Sequence, residues 1–279
     1  MAKHFNTEIV SADSRQFFKE IHIGTAAPSQ DELNEVQHHF IKHKSILNNY
    51  NVGSFEKEAL TKLTQLFKKH DYVIMVGGSG LYVDAITKGL DDFPSVSPLI
   101  RKQLNDTLML EGIKPLQKQL QSLDITTYNT IAIQNPHRVI RALEICIGTG
   151  KPYSSFLNKK VDSRSFKTVS IGLTADRPII YERINQRVDQ MIQNGLLEEV
   201  KRLAPYKSLN ALNTVGYKEL FEYLDGNCTL DFAISEIKKN TRRFAKRQLT
   251  WFKKNENILW FDHKTPQEQI IKAITEKTE

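Results

Sequence analysis

The chain has 279 residues, 40% hydrophobic and 25% charged, which allows a sizeable core in one or two domains. Lys and Arg total 39 against 32 acidic residues, and the formal net charge of +7 favours a polyanionic partner. No apolar run approaches membrane-spanning length, no signal-peptide pattern is present, and Cys146 and Cys228 form no CxxC pair; membrane insertion and a paired-thiolate metal site are set aside, and a reducing cytoplasm is expected.

Residues 7–13 read as a short strand ending in a polar tip, Asp13-Ser14-Arg15-Gln16. Further on, His38-His39 follow no ligand spacing such as HExxH. Helical spacing over 55–70 leads into 72–78, a near-continuous apolar run expected of a strand buried on both faces. Gly77-Gly78-Ser79-Gly80 then reads as a tight strand-to-helix turn. Prolines mark the start of a helical insertion over 94–165, and Gly148, Gly150 and Pro152 mark its end. The insertion divides a discontinuous core, 1–93 and 166–279. A third strand is predicted over 167–174, largely helical sequence over 177–254, a fourth strand at 258–261 and a frayed tail over 276–279. Strands alternating with helices indicate an α/β fold with a mostly parallel sheet.

Polar residues at the C-terminal ends of parallel strands are the first candidates for chemistry, because ligands bind there in open α/β sheets. Asp13 could take a proton from a nucleophile, or it could cap the next helix. Arg183 and Arg187, one helical turn apart, could clamp a diphosphate; the alternative is a surface ion-pair ladder with Glu182 or Asp189. Arg138 and Arg141, in a helix opened by Asn135-Pro136, could grip an RNA backbone or belong to an ordinary capped amphipathic helix. Near the C-terminus, Arg242, Arg243, Lys246, Arg247, Lys253 and Lys254 are interleaved with Phe244, Trp251 and Phe252. Cations neutralise phosphates and aromatic faces stack on unpaired bases, so this segment suits looped RNA. The alternative is a solvated basic helix with an apolar stripe at Phe244, Leu249 and Phe252.

Together these segments resemble the tRNA dimethylallyltransferases, also called tRNA isopentenyltransferases. The resemblance rests on Ser11-Ala12-Asp13-Ser14-Arg15-Gln16, Ile23-Gly24-Thr25-Ala26, Val76-Gly77-Gly78-Ser79-Gly80-Leu81-Tyr82, the run from Asn135 to Glu144, Val215-Gly216-Tyr217-Lys218-Glu219 and the run from Ala245 to Phe252. It implies a P-loop-NTPase-like core with a helical insertion domain that contacts tRNA. The implied reaction moves a dimethylallyl group from its diphosphate to the exocyclic amine of adenosine-37 in the tRNA anticodon stem-loop. By this resemblance Asp13 is the general base, Arg187 stabilises the departing diphosphate with Mg²⁺, and Arg183 stands beside it. The protein ligands of the metal are not identified. Asp13, Ser14, Arg15, Gln16, Ser79, Arg101, His137, Arg138, Arg141, Lys218, Lys246, Arg247, Gln248 and Trp251 match tRNA-contacting positions. A cytoplasmic monomer is expected.

Family members begin with a strand and a phosphate loop of GxxxxGK[ST] type, and no such motif occurs in this chain. The first core strand and the loop are therefore expected to be missing, and the chain by itself is expected to transfer weakly or not at all. Two other readings remain open on the sequence: a catalytically impaired protein that binds tRNA anticodon arms, and a prenyltransferase acting on free adenine nucleotides.

Overall fold

The structure, a computed structural model, describes residues 1–157 and 164–278. The chain divides into two compact units, Met1–Lys88 with Arg164–Glu279, and Gly89–Ser163.

The first unit opens with β1 (Ile9–Ser11), α1 (Gln30–Glu35), β2 (His38–His39), α2 (Val52–Leu66), β3 (Ile74–Val76) and α3 (Gly80–Thr87). β1 lies between β2 and β3 and runs parallel to both, with Ile9 opposite His38 and Ile74, and Ser11 opposite Val76. Parallel pairing brings the C-terminal ends of β1 and β3 to one edge, where Asp13 and Gly77 follow. α2 starts where the Asn51 side chain accepts the Ser54 N–H at 3.0 Å. Its Phe55, Ala59, Leu63 and Leu66 recur at helical spacing and are buried. Phe55 stacks on Phe17 with ring centroids 5.1 Å apart.

The second unit holds α4 (Pro98–Glu111), α5 (Ile113–Leu123), α6 (Ile125–Thr130) and α7 (Pro136–Thr149). Leu104, Leu116, Leu120, Val139 and Leu143 form its core. Asn135 caps α7 through the N–H groups of His137 and Arg138 at 3.1 and 3.4 Å.

The chain then returns through β4 (Ile171–Thr174), α8 (Arg177–Gln193), α9 (Leu196–Leu203), α10 (Tyr217–Leu224), α11 (Leu230–Phe252), β5 (Leu259–Asp262) and α12 (Gln267–Thr278). β4 and β5 pair in parallel. A side chain at Gly172 would meet the Trp260 ring at 2.5 Å, so the indole occupies the space that only glycine leaves.

Three expectations are corrected, and one strand was not expected. The described strands form two small parallel sheets, of three and two strands, rather than one. The run through β3 is not buried on both faces: Ile74 and Met75 are only half-buried and Val76 is 55% exposed. His38-His39 form a strand that apolar patterning could not reveal. The tail is helical through Thr278, because Ile270 and Ile274 are buried and the Thr278 hydroxyl lies 2.8 Å from that of Tyr72. Among the described residues, no helix is long and apolar enough to cross a membrane.

Candidate nucleic-acid and diphosphate site

The site begins at the end of β1. No helix follows Asp13, so its carboxylate caps a turn instead, with Oδ1 accepting the Arg15 N–H at 2.9 Å. The Asp13 N–H donates to Ser11 Oγ at 3.3 Å. Ser79, at the end of β3, accepts the Ser14 N–H at 3.0 Å and donates to Ser14 Oγ at 3.1 Å. Ser79 precedes α3 but makes no cap bond to it, because its hydroxyl is turned toward Ser14. The two strand ends are thereby tied together. Gly77 allows this closeness: a Cβ there would sit 2.6 Å from the Ala12 carbonyl carbon.

Arg15 and Gln16 point away from the turn and hold neighbouring loops. The Arg15 guanidinium donates to the carbonyls of Asn210 and Ala211 at 3.0 Å and of Asn213 at 3.3 Å. Burial pulls its pKa below the ordinary arginine value. The Gln16 amide donates to the carbonyls of Thr25 and Ala26 at 3.3 and 3.2 Å.

The C-terminal half of α11 closes the site. Gln248 Nε2 donates to the Gly78 carbonyl at 2.9 Å, and Trp251 Nε1 donates to Asp84 on α3 at 3.1 Å. Cβ atoms at Gly78 and Gly80 would lie 2.1 Å from Gln248 Nε2 and 2.4 Å from the Trp251 ring. This loop is therefore glycine-rich because α11 lies on it. Phe244 is 43% exposed, with Arg247 5.6 Å above its ring, so it does not belong to a buried stripe. Lys246, Arg247 and Trp251 are exposed, as is Lys218 on α10.

α11 also reaches α8. Arg242 donates to Asn185 Oδ1 at 2.8 Å and lies 5.8 Å above the Tyr181 ring, and Lys238 pairs with Asp189. Glu182 accepts from Gln186. The ion-pair ladder proposed for Arg183 and Arg187 is therefore not formed. Both arginines are exposed on one face of α8, and among the described residues neither has a partner.

In the second unit, Arg101 and Arg141 converge on Glu144. Arg101 grips it through two bonds, of 3.1 and 2.7 Å, and Arg141 adds one of 3.0 Å. Burial pushes the Glu144 carboxyl upward, but the bonds from both arginines overcome this and hold it below its ordinary value. The Arg141 guanidinium also lies 5.2 Å above the Phe93 ring. His137 and Arg138 are exposed at the start of α7.

Sequence reasoning missed Asp84, Asn185 and Glu199. Glu199 left a signal: Leu196, Val200 and Leu203 define the buried face of α9, and position 199 falls on it. A carboxylate on such a face needs partners. Asp84 and Asn185 are ordinary surface residues in the sequence and left none.

The sequence profile of the IPP transferase family matches residues 16–255. The tRNA dimethylallyltransferase of Christiangramia forsetii is 61% identical over 277 residues, covering 99% of this chain and 92% of that protein. That of Flavobacterium johnsoniae is 59% identical, covering 99% and 91%. Among solved structures, the full-length tRNA isopentenylpyrophosphate transferase from Bacillus halodurans aligns with a TM-score of 0.70 at 36% identity, covering 99% of this chain and 88% of that one. A eukaryotic dimethylallyltransferase acting on tRNA aligns with a TM-score of 0.82 at 26% identity, covering 99% and 74%.

Proposed function

The chain belongs to the IPP transferase family, and on that premise we propose that it transfers a dimethylallyl group from dimethylallyl diphosphate to the exocyclic amine of adenosine-37 in the tRNA anticodon stem-loop, giving N6-isopentenyladenosine. The reading takes the protein as a cytoplasmic monomer.

One observation carries the reading. A carboxylate stands at the end of the central strand, and the basic, aromatic end of α11 is docked by Gln248 and Trp251 on the adjoining glycine loop. Base-modifying enzymes take their target out of the stack, and exposed aromatic and cationic side chains can hold the splayed loop. Phe244, Arg247 and Trp251 supply those groups, with Lys218 and Lys246 for phosphates. His137, Arg138, Arg101 and Arg141 serve the RNA backbone from the helical unit. Ser14, Arg15, Gln16 and Ser79 shape the floor beneath the target base.

In the reaction the amine nitrogen bonds to the allylic carbon, the carbon–oxygen bond to diphosphate breaks, and the amine proton passes to Asp13. Arg183 and Arg187, free of internal acceptors among the described residues, take up the charge of the leaving diphosphate. Among the described residues no group of three or more His, Cys, Asp or Glu side chains converges on a cation, so those residues build no all-protein metal cage. Mg²⁺ fits as a partner of the diphosphate, where it would screen charge while held by phosphate oxygens and water.

The test incubates the chain with dimethylallyl diphosphate, Mg²⁺ and an anticodon stem-loop and follows the added prenyl mass. Stem-loop binding without transfer, from folded protein, would indicate an anticodon-arm binding protein. Equal transfer to AMP would indicate an enzyme of free nucleotides.

A further inference from the structure

A buried carboxylate distant in sequence from the Asp13 turn is tied to it from two sides. The Glu199 side chain is 1% exposed. Burying a charge is costly unless it is hydrogen-bonded, and an apolar side chain would serve the core as well. Glu199 is fully engaged. Its Oε2 accepts the N–H groups of His22 and Ile23 at 3.2 and 3.1 Å, and its Oε1 accepts that of Gly24 at 3.2 Å. The Tyr217 hydroxyl donates to Oε1 at 2.6 Å, and the His22 ring nitrogen Nδ1 lies 3.1 Å from Oε2. There is no slack in this contact: a Cβ on Gly24 would stand 2.6 Å from the Tyr217 ring.

The first route to Asp13 runs through the loop that Glu199 holds. The backbone carbonyls of Thr25 and Ala26 receive the Gln16 side-chain amide, Gln16 Oε1 accepts from Ser11 Oγ at 3.4 Å, and Ser11 Oγ accepts the Asp13 N–H. The second runs through Tyr217. The chain just before it, at Asn210, Ala211 and Asn213, receives the Arg15 guanidinium, and the Arg15 N–H donates to the Asp13 carboxylate. The two routes close a ring with Glu199 at one pole and the Asp13 turn at the other.

We infer that Glu199 is a positioning residue, which sets the orientation of the Asp13 carboxylate through the 22–26 loop and Tyr217. The inference rests on the proposed prenyl transfer for its kinetic consequence, but not for its structural one. In Glu199→Gln the side chain keeps its shape, but an amide N–H₂ now faces backbone N–H donors. Hydrogen exchange without substrates should quicken in peptides covering 11–17 as well as 21–27. Single-turnover transfer at saturating substrates should fall about 10- to 100-fold, the scale of a misplaced catalytic group. Stem-loop affinity should be retained. Tyr217→Phe removes one bond and should act in the same direction with a smaller effect, and it carries the test if Glu199→Gln does not fold. Combined with Gln16→Leu, which cuts the first of the two routes from Glu199, Glu199→Gln should give less than the product of the separate losses. Quickened exchange confined to 21–27, unchanged transfer, or multiplicative losses would overturn the inference. Wild-type chain that transfers nothing would count against the proposed function, while the exchange pattern would still decide whether the ring exists.

Discussion

At the scale of single residues, the side chains around the site divide into those that hold it and those left free. Asp13 does both, since Oδ1 caps Arg15 while the carboxylate remains half-exposed. Asn at this position preserves an acceptor for the Arg15 N–H but cannot take up a proton. Asp13→Asn should therefore cut transfer about 10²- to 10⁴-fold and leave stem-loop binding intact, as read by single-turnover kinetics beside a filter-binding titration. Equal loss of binding would make Asp13 a structural residue. Arg187 is exposed on α8 and has no partner among the described residues. Its replacement by Ala should lower the rate of transfer about 10²- to 10³-fold with little change in melting temperature, because no internal bond is lost. Arg15→Ala should instead lower stability, since three carbonyls lose their donor.

At the scale of elements, α11 joins the strand-end loop to α8. Gln248 and Trp251 press on the 78–84 segment, while Arg242 and Lys238 hold α8 at Asn185 and Asp189. Gly77→Ala would push a methyl group to 2.6 Å from the Ala12 backbone, and backbone cannot yield as a flexible side chain can. That change should cost about 1–3 kcal/mol and reduce transfer with it, measured by denaturant unfolding alongside the assay. Gly78→Ala meets only the end of the Gln248 side chain; it should cost less and be relieved by Gln248→Ala. Most of these contacts were not legible in the sequence. The glycine run signals a tight turn, and the basic, aromatic run signals a helix, but nothing in either states that one rests on the other. Helical periodicity is a local property; the Gln248–Gly78 bond joins residues 170 positions apart.

At the scale of the whole molecule, buried titratable groups set how stability responds to acid. The His43 ring is packed against Phe17, Phe40 and Tyr50. Burial, reinforced by Lys44, lowers its pKa from 6.5 to about 4. The unfolded chain thus binds this proton first, so stability is full above the unfolded value of 6.5 and declines as pH falls toward about 4. Asp124 and Glu144 add a second, more acidic stage. Burial raises both, but hydrogen bonds overcome it and leave each below its ordinary value, so their contribution is present at neutral pH and is lost as they protonate. Urea unfolding across this range should show both stages, and His43→Leu should flatten the first while leaving the second. An unaltered first stage in that variant would show that His43 is not its source.

Composition, helical spacing and motif residues by themselves determined the α/β class, the helical character of residues 98–149, the basic helix and the strand-end positions of Asp13 and Ser79, because each follows from local chemistry repeated along the chain. The tertiary structure decided which of the singled-out residues are spent on internal bonds, as Arg15, Gln16 and Gln248 are, and which, like Arg183 and Arg187, have no partner among the described residues. It also decided that Glu199 stands behind the Asp13 turn. A hydrogen bond between residues 175 positions apart, such as that from Gly24 to Glu199, depends on how the elements pack, and no local pattern encodes it.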